Sequence, residues 1–266
     1  MRFEYQETTH DLQTRIDLHD KYGKRDIDQW MLDLLRPAKG SAILDVGCGS
    51  GKQLAAFHRY LEGDARITGG DINEELLVQA SARNAEAGSP WEIRSLDFNA
   101  RFPMRDETYD LISCCFAIYY ANEIPFSVAE MHRVLKTGGR LFTTGPMPEN
   151  KQLFYEVIRE ATGKPIPPMP GSSRYASEIL KAVRARFGQV EVHIFENPLE
   201  FESVGPFLDY IRASLSEDRK LWGSFFENKD DFERIMGQIG TVANKRLARQ
   251  GELVMTKVVG GFVATK

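Results

Sequence analysis

The chain has little of what marks secreted, membrane-spanning or nucleic-acid-coating proteins. Three cysteines occur in 266 residues, Cys48, Cys114 and Cys115. An odd count at those spacings offers neither a disulfide framework nor a zinc-type pattern. No apolar run approaches the ~20 residues needed to cross a bilayer. The opening Met1-Arg2-Phe3-Glu4 leads into a polar, acidic stretch, unlike a signal peptide. Basic residues are not in surplus: 34 Lys and Arg stand against 38 Asp and Glu, a net charge of −4. That balance gives no broad footprint for a nucleic-acid backbone, although it leaves room for a local basic patch. No carboxylate–histidine cluster argues for a catalytic metal. These absences lead to the expectation of a cytoplasmic, reduced protein with no membrane association, acting on something other than nucleic acid.

What is present is ordinary for a globular chain: 42% hydrophobic and 27% charged residues. The length fits one large domain or a domain with an embedded cap.

The most informative stretch is Ile43-Leu44-Asp45-Val46-Gly47-Cys48-Gly49-Ser50-Gly51. Apolar residues around an acid read as a buried strand, and three glycines at alternate positions follow. Residues 52–61 have helical character, so the glycines lie in a strand-to-helix turn. Such a turn bends sharply and lets a ligand lie against its backbone, close to the open N–H groups of the next helix. A dinucleotide fingerprint needs a third glycine where Lys52 stands. A phosphate-binding loop fails at Gly51-Lys52-Gln53. Asp45 at the strand end suits a ligand with a positive end. A plain tight turn remains the alternative.

Further on, apolar runs alternate with helix-period segments, which predicts a largely parallel sheet covered on both faces. Strands are expected at 66–71, 91–97, 109–116, 140–144, 190–195 and 252–265, the last antiparallel at or near the edge. Helices are expected at 73–87, with Asn73 as N-cap and Gly88 as stop, and at 125–135, ended by Thr137-Gly138-Gly139. Residues 145–175 read as an extended, stiff loop enforced by Pro165, Pro167, Pro168 and Pro170. Residues 199–251 hold two or three helical segments, including 232–249. The organisation expected is a single domain over 1–266. Its core spans about 37–198 and 252–266, and a helical cap is drawn from about 1–36 and 199–251.

Two acids follow strands. Asp71 falls 24 positions after Gly47 and can accept both hydroxyls of a ribose, a geometry shared with NAD enzymes. Asp97 closes the next strand, flanked by Phe98, and Ile72 follows Asp71. A helix-capping role for Asp71 and a turn-forming role for Asp97 are the simpler readings.

Taken together these pieces resemble the class I S-adenosylmethionine-dependent methyltransferases, whose first motif is a D/E-x-G-x-G-x-G run. Residues 109–116, Tyr109-Asp110-Leu111-Ile112-Ser113-Cys114-Cys115-Phe116, resemble the family's fourth strand. The run Glu130-Met131-His132-Arg133-Val134-Leu135-Lys136-Thr137-Gly138-Gly139-Arg140-Leu141 is similar to the helix-turn-strand of small-molecule methyltransferases of the ubiquinone-biosynthesis type. The resemblance covers roughly residues 40–145. It implies a doubly wound, Rossmann-like α/β fold with a seven-stranded, mostly parallel sheet, an antiparallel last strand and a helical cap. It also implies S-adenosylmethionine as cofactor, S-adenosylhomocysteine as product, and no metal. The cofactor-binding residues it implies are Asp45, Gly47, Cys48, Gly49, Gly51, Asp71, Ile72, Asp97, Phe98, Cys115 and Phe116, with Ile72 and Phe98 about the adenine and Asp97 at its amino group. The stretch Arg15-Ile16-Asp17-Leu18-His19-Asp20-Lys21-Tyr22 resembles the entry helix of a bacterial subgroup. That adds Arg15 and Tyr22 as cofactor contacts and His19 as an acceptor-positioning group.

A sulfonium methyl group is already activated, so alignment and exclusion of water carry most of the catalysis. A base is needed only if the acceptor must lose a proton. Tyr119 and Tyr120 follow the fourth strand, where many relatives carry histidine. With an ordinary pKa near ~10, a tyrosine is better suited to positioning an acceptor than to base catalysis; packing under the next helix is the plain alternative. His193, in an apolar strand, reads as structural, and His58 and His132 carry little signal. Phe201, Phe207, Tyr210, Trp222, Phe225 and Phe226 are first of all core residues, and Phe207, Tyr210 and Trp222 also suit an acceptor pocket. The leading expectation is methyl transfer to O, N or C of a small molecule by a monomer or homodimer. The alternatives are a protein or tRNA acceptor, a non-catalytic cofactor-binding protein and, disfavoured by Lys52, an NAD-dependent oxidoreductase.

Overall fold

Ser41–Val46 forms strand β1, and all of it but Ser41 is buried, Asp45 included. A strand covered on both faces needs apolar residues on both sides, which is why its run is continuous rather than alternating. The computed structural model describes residues 9–86, 88, 91–166, 170–215, 223 and 225–266. Residues 1–4, Ala87, Pro167, Pro168 and Trp222, all named above, lie outside the described residues.

β1 pairs in parallel with β2 (Ala65–Asp71) on one side and β4 (Tyr109–Cys115) on the other. β3 (Glu92–Ser95) adds to β2, and β5 (Leu135–Pro146) to β4, both in parallel. β7 (Leu253–Thr265) runs antiparallel to β5, and β6 (Gln189–Phe201) completes the order β3-β2-β1-β4-β5-β7-β6. The chain winds outward from β1 to β3, then returns to start β4 beside β1. That reversal opens a crevice at the carboxyl ends of β1 and β4, the usual ligand position in such sheets. The last strand thus lies one place in from the edge, and β6 is the edge strand.

The helices follow from local signals. α1 (Thr9–Tyr22) and α2 (Ile27–Leu35) precede the sheet. α3 (Lys52–Tyr60) starts from Gly51. α4 (Glu74–Glu86) is capped by Asn73, whose Oδ1 accepts from Leu76 N at 3.1 Å, and carries Glu74 and Glu75 in its first turn. α5 (Ile124–Val134) has proline in its first turn.

The 145–175 stretch corrects an expectation. It contains α6 (Gln152–Thr162), whose Phe154, Val157 and Ile158 make one buried stripe. Pro165 and the prolines that follow it come only after this helix has ended. Pro170 opens α7 (Pro170–Arg174), a π-helical turn follows at Tyr175–Ile179, and α8 (Leu180–Arg186) continues from it. α9 (Val204–Ser214) and α10 (Lys229–Gln250) complete the helices used below; Asn228 caps α10 by accepting from Asp231 N.

The chain divides into two compact units. The sheet unit comprises Ile27–Met147, Pro170–Phe195 and Val259–Lys266; the helical unit comprises Met1–Asp26, Pro148–Met169 and Glu196–Val258. In the sheet unit, alternate residues of β1 serve opposite faces. Leu44 and Val46 join a core with Ile112, Met131 and Phe262, while Ile43 joins another with Leu54, Phe57 and Phe142. The helical unit has its own core, in which Phe154, Phe201, Phe207, Tyr210, Phe232 and Met236 are buried. Arg246 of α10 bridges Glu156 and Glu160 of α6, each at 2.9 Å.

Candidate functional site

The glycine turn leaves the carboxyl end of β1 with Gly47, Gly49 and Gly51 at φ of +74°, +51° and +80°. A side chain is strained at each of these angles, but the three glycines serve different ends. A Cβ on Gly47 would stand 2.6 Å from Ala117 Cβ, so the protein itself closes on this residue. At Gly49 a Cβ would meet no described atom within 4 Å, so its bare backbone borders open space. Gly47 N and Cys48 N both donate to Gly70 O, at 2.7 and 3.0 Å, which fastens the turn to the end of β2.

Asp71, at the end of β2, holds the turn from the other side. Its Oδ2 accepts from Gly49 N and its Oδ1 from Asn73 N, both at 2.9 Å. Asp45 is 1% exposed, and Ser113 Oγ donates to its Oδ1 at 2.6 Å. Burial pushes the Asp45 carboxyl from 3.8 up to about 7; the Ser113 bond opposes that shift and the charge of Asp71 adds to it. Burial likewise raises the Cys48 thiol, with Asp45 and Asp71 contributing, so Cys48 lines the turn as a small neutral group.

After β3, Asp97 Oδ1 accepts from Asn99 N at 2.8 Å and from Asn99 Nδ2 at 3.0 Å. Asp97 Oδ2 takes no hydrogen bond from any described residue. Asn99 Oδ1 in turn accepts from Asn122 N at 2.7 Å, which ties this loop to the one after β4. Phe98 packs partly buried against the core, whereas Ile72 is exposed. At the end of β4, Phe116 has φ +54°, an uncommon conformation for an aromatic residue, and its N donates to Thr144 O at 3.0 Å. The rings of Tyr119 and Tyr120 lie 4.6 Å apart; Tyr119 is half-buried and Tyr120 exposed. Arg174 Nη1 donates to Tyr119 O at 2.9 Å.

Asp45, the three glycines, Cys48, Asp71, Ile72, Asp97, Phe98, Cys115, Phe116, Tyr119 and Tyr120 therefore all lie at or just after the carboxyl ends of β1 to β4, in the sheet unit. Arg15, His19 and Tyr22 belong to the helical unit. There Arg15 is buried and donates Nη1 to Ala213 O at 3.0 Å, His19 stacks on Tyr210, and Tyr22 lies against Phe201. His193 pairs with Glu191, while His58 and His132 make edge contacts with Trp91 and Phe187.

Ser113, Asn99 and Ala117 also shape the site, and none of them belongs to a sequence motif. Ser113, a hydroxyl inside an apolar strand, was the available signal for the first. The other two depend on register and loop path, which no local pattern carries.

The cradle fits a nucleoside with a cationic end: open space beside Gly49, an acid at each of three strand ends, and a buried carboxyl that a nearby positive charge would ionise. Among the described residues, no group of three His, Cys, Asp or Glu is placed to hold a metal, and no helix is long and apolar enough to cross a membrane.

Comparison with known proteins agrees with this geometry. A methyltransferase-domain family model matches residues 43–139. A ubiquinone/menaquinone biosynthesis C-methyltransferase of Psychromonas ingrahamii is 30% identical over 173 residues, covering 62% of this chain and 67% of that protein. The enzyme of the same name from Desulfotalea psychrophila is 30% identical over 117 residues, so this chain spans about half of its length, 46%, against 44% of its own. Among solved structures, the YcgJ protein of Bacillus subtilis superposes with a TM-score of 0.58 at 16% identity, covering 90% of this chain and 97% of that one.

Proposed function

The chain belongs to the class I S-adenosylmethionine-dependent methyltransferases, and on that premise we propose that it methylates O, N or C of a small organic molecule. The observation that carries this reading is the match to a C-methyltransferase of ubiquinone/menaquinone biosynthesis over 67% of that relative. The net charge of −4 points the same way, since it offers no general attraction for an RNA backbone.

The residues divide the work of holding the cofactor. Gly47, Gly49 and Gly51 present bare backbone to it. Asp71 takes the ribose hydroxyls on the lone pairs left beside its bonds to Gly49 and Asn73. Asp97 Oδ2 receives the adenine amino group, and Ile72 and Phe98 lie against the ring. Cys115 and Phe116 close the end of β4. When bound, the cofactor supplies a methyl group already activated by its sulfonium charge. The remaining task of the chain is to hold the acceptor in line and keep water away, and tight positioning alone lowers such a barrier by up to about 7–11 kcal/mol. Tyr119 and Tyr120 position the acceptor in this reading.

Two measurements test this reading. Calorimetry should detect S-adenosylhomocysteine binding to the full chain; its absence would overturn the cofactor assignment. Radiolabelled methyl should pass from the cofactor to a small-molecule extract. Labelling of protein or RNA instead would replace the acceptor class, and cofactor binding with no transfer to any fraction would make the chain a non-catalytic binder.

A further inference from the structure

The two edges of the sheet are unlike each other. β3 closes one side with only Glu92–Ser95, and its Glu92 and Arg94 pair with each other. A short, charged edge strand is a common guard against further pairing. The other side ends on β6, beyond which no strand lies among the described residues. The part of β6 that belongs to the sheet unit, residues 189–195, is longer and holds neither proline nor lysine.

A strand turns alternate side chains to opposite faces. Val190, Val192 and Ile194 share one face. Val190 packs against the core of its unit, whereas Val192 and Ile194 stay 40% and 45% exposed. Glu191 and His193 share the other face, where His193 Nε2 lies 3.2 Å from Glu191 Oε2. Further along that face the ring of Phe195 is buried, 5.1 Å from that of Trp30. Open β-branched residues on an edge strand suit the face of another strand.

The pattern is complementary to itself. Laid antiparallel against a second copy about a two-fold axis through Val192, the strand sets Val192 opposite the partner's Val192. Val190 then faces the partner's Ile194, and Glu191 faces the partner's His193, each pairing occurring twice by symmetry. An axis through Glu191 would set two carboxylates face to face, which is unfavourable. An axis through His193 would set each Glu191 against the partner's Phe195. The register centred on Val192 is the one that matches charge and apolar surface together.

We propose that residues 189–195 of β6 form a homodimerisation edge, to which a second copy of this chain adds its own β6 in that register. Backbone hydrogen bonds supply the attraction, the three aliphatic residues supply the apolar cover, and the crossing of Glu191 with the partner's His193 fixes the alignment. Pairing of so short a stretch buries less than a standard interface. The dimer therefore forms reversibly, with a dissociation constant on the order of micromolar or weaker.

Sedimentation velocity of the full chain across a concentration series should show a monomer–dimer equilibrium. Val192→Lys sets two ammonium groups together on the axis, and Glu191→Lys sets an ammonium against an imidazole. Each should weaken the dimer about tenfold or more, while thermal unfolding shows the variants folded. His193→Glu alone should weaken it too, and Glu191→Lys combined with His193→Glu should recover it. Should Val192→Lys fail to fold, the exposed Glu191 carries the test. Mild oxidation reads the register: Val192→Cys should cross-link two copies at the axis. Gln189→Cys, roughly 20 Å from its copy in this register, should not. A chain monomeric at every concentration, a dimer unchanged by both lysine variants, or no recovery in the double variant overturns the proposal. So does a cross-link in Gln189→Cys without one in Val192→Cys.

Discussion

Ser113 donates its hydroxyl hydrogen to Asp45 across the paired strands β4 and β1, where the two residues stand in register. The bond holds an acid that burial keeps largely protonated below neutral pH. Because the folded carboxyl titrates near 7 and the unfolded one near its ordinary 3.8, the folded chain binds the extra proton between those values. Stability should therefore fall as pH rises through that window, by about 1.4 kcal/mol per pH unit from this one group, and level off above it. Urea unfolding of wild type and Asp45→Asn across the window checks this. The variant should lose that component of the slope, and identical slopes would mean that Asp45 is ionised throughout.

Gly47 and Gly49 should separate folding from binding. Gly49→Ala carries only the left-handed backbone penalty, about 1–2 kcal/mol, because no described atom blocks its Cβ. Its methyl enters the space assigned to the cofactor, so S-adenosylhomocysteine affinity should drop about tenfold or more. Gly47→Ala adds a collision with Ala117 and should cost stability by about 1–3 kcal/mol more. Thermal unfolding and calorimetry on both variants supply the comparison; equal loss of stability in the two would contradict it.

Tyr119→Phe and Tyr120→Phe remove hydroxyls without removing rings. If either hydroxyl holds the acceptor, its loss should raise the acceptor KM by about two- to tenfold, the weight of one hydrogen bond, with cofactor affinity unchanged. Turnover unchanged in both variants would leave the two residues no role beyond packing.

Tyr175 is a test of the fold alone. It is fully buried, stacks on Phe262 at 4.4 Å, and donates its hydroxyl to Thr143 O at 2.7 Å. Gly145 and Gly260 leave room for the ring, since a Cβ on either would approach it to 2.4 or 3.0 Å. Tyr175→Phe should cost about 1–3 kcal/mol by leaving that carbonyl without its donor. Tyr175→Ala should cost about 3–5 kcal/mol by opening a cavity, and denaturant midpoints read both.

The sheet was legible from the sequence wherever a strand ended in a marked residue. Asp45, Asp71 and Asp97 each mark the end of an expected strand, and the glycines after Asp45 announce the turn, so the strand ends and turn that line the cradle could be read from the sequence. Other parts carried no such mark. α6 was hidden because the prolines beyond Thr162 dominated the look of the whole stretch, although Phe154, Val157 and Ile158 have helical spacing. β6 runs on to Phe201, six residues beyond the expected end, because its second half is held in a different unit from its first. The bond between Ser113 and Asp45 depends on which strand lies beside β1, a matter of topology.

The place of β7 between β5 and β6 has a consequence for biosynthesis. β6 leaves the ribosome before the strand that must separate it from β5. Until translation has supplied β7, the outer edge of β5 carries an open row of backbone donors and acceptors, and β6 waits without its neighbour. A nascent chain in that state presents the kind of edge that recruits other strands. Slowing or truncating synthesis within residues 202–252 should therefore produce aggregation rather than a smaller folded enzyme.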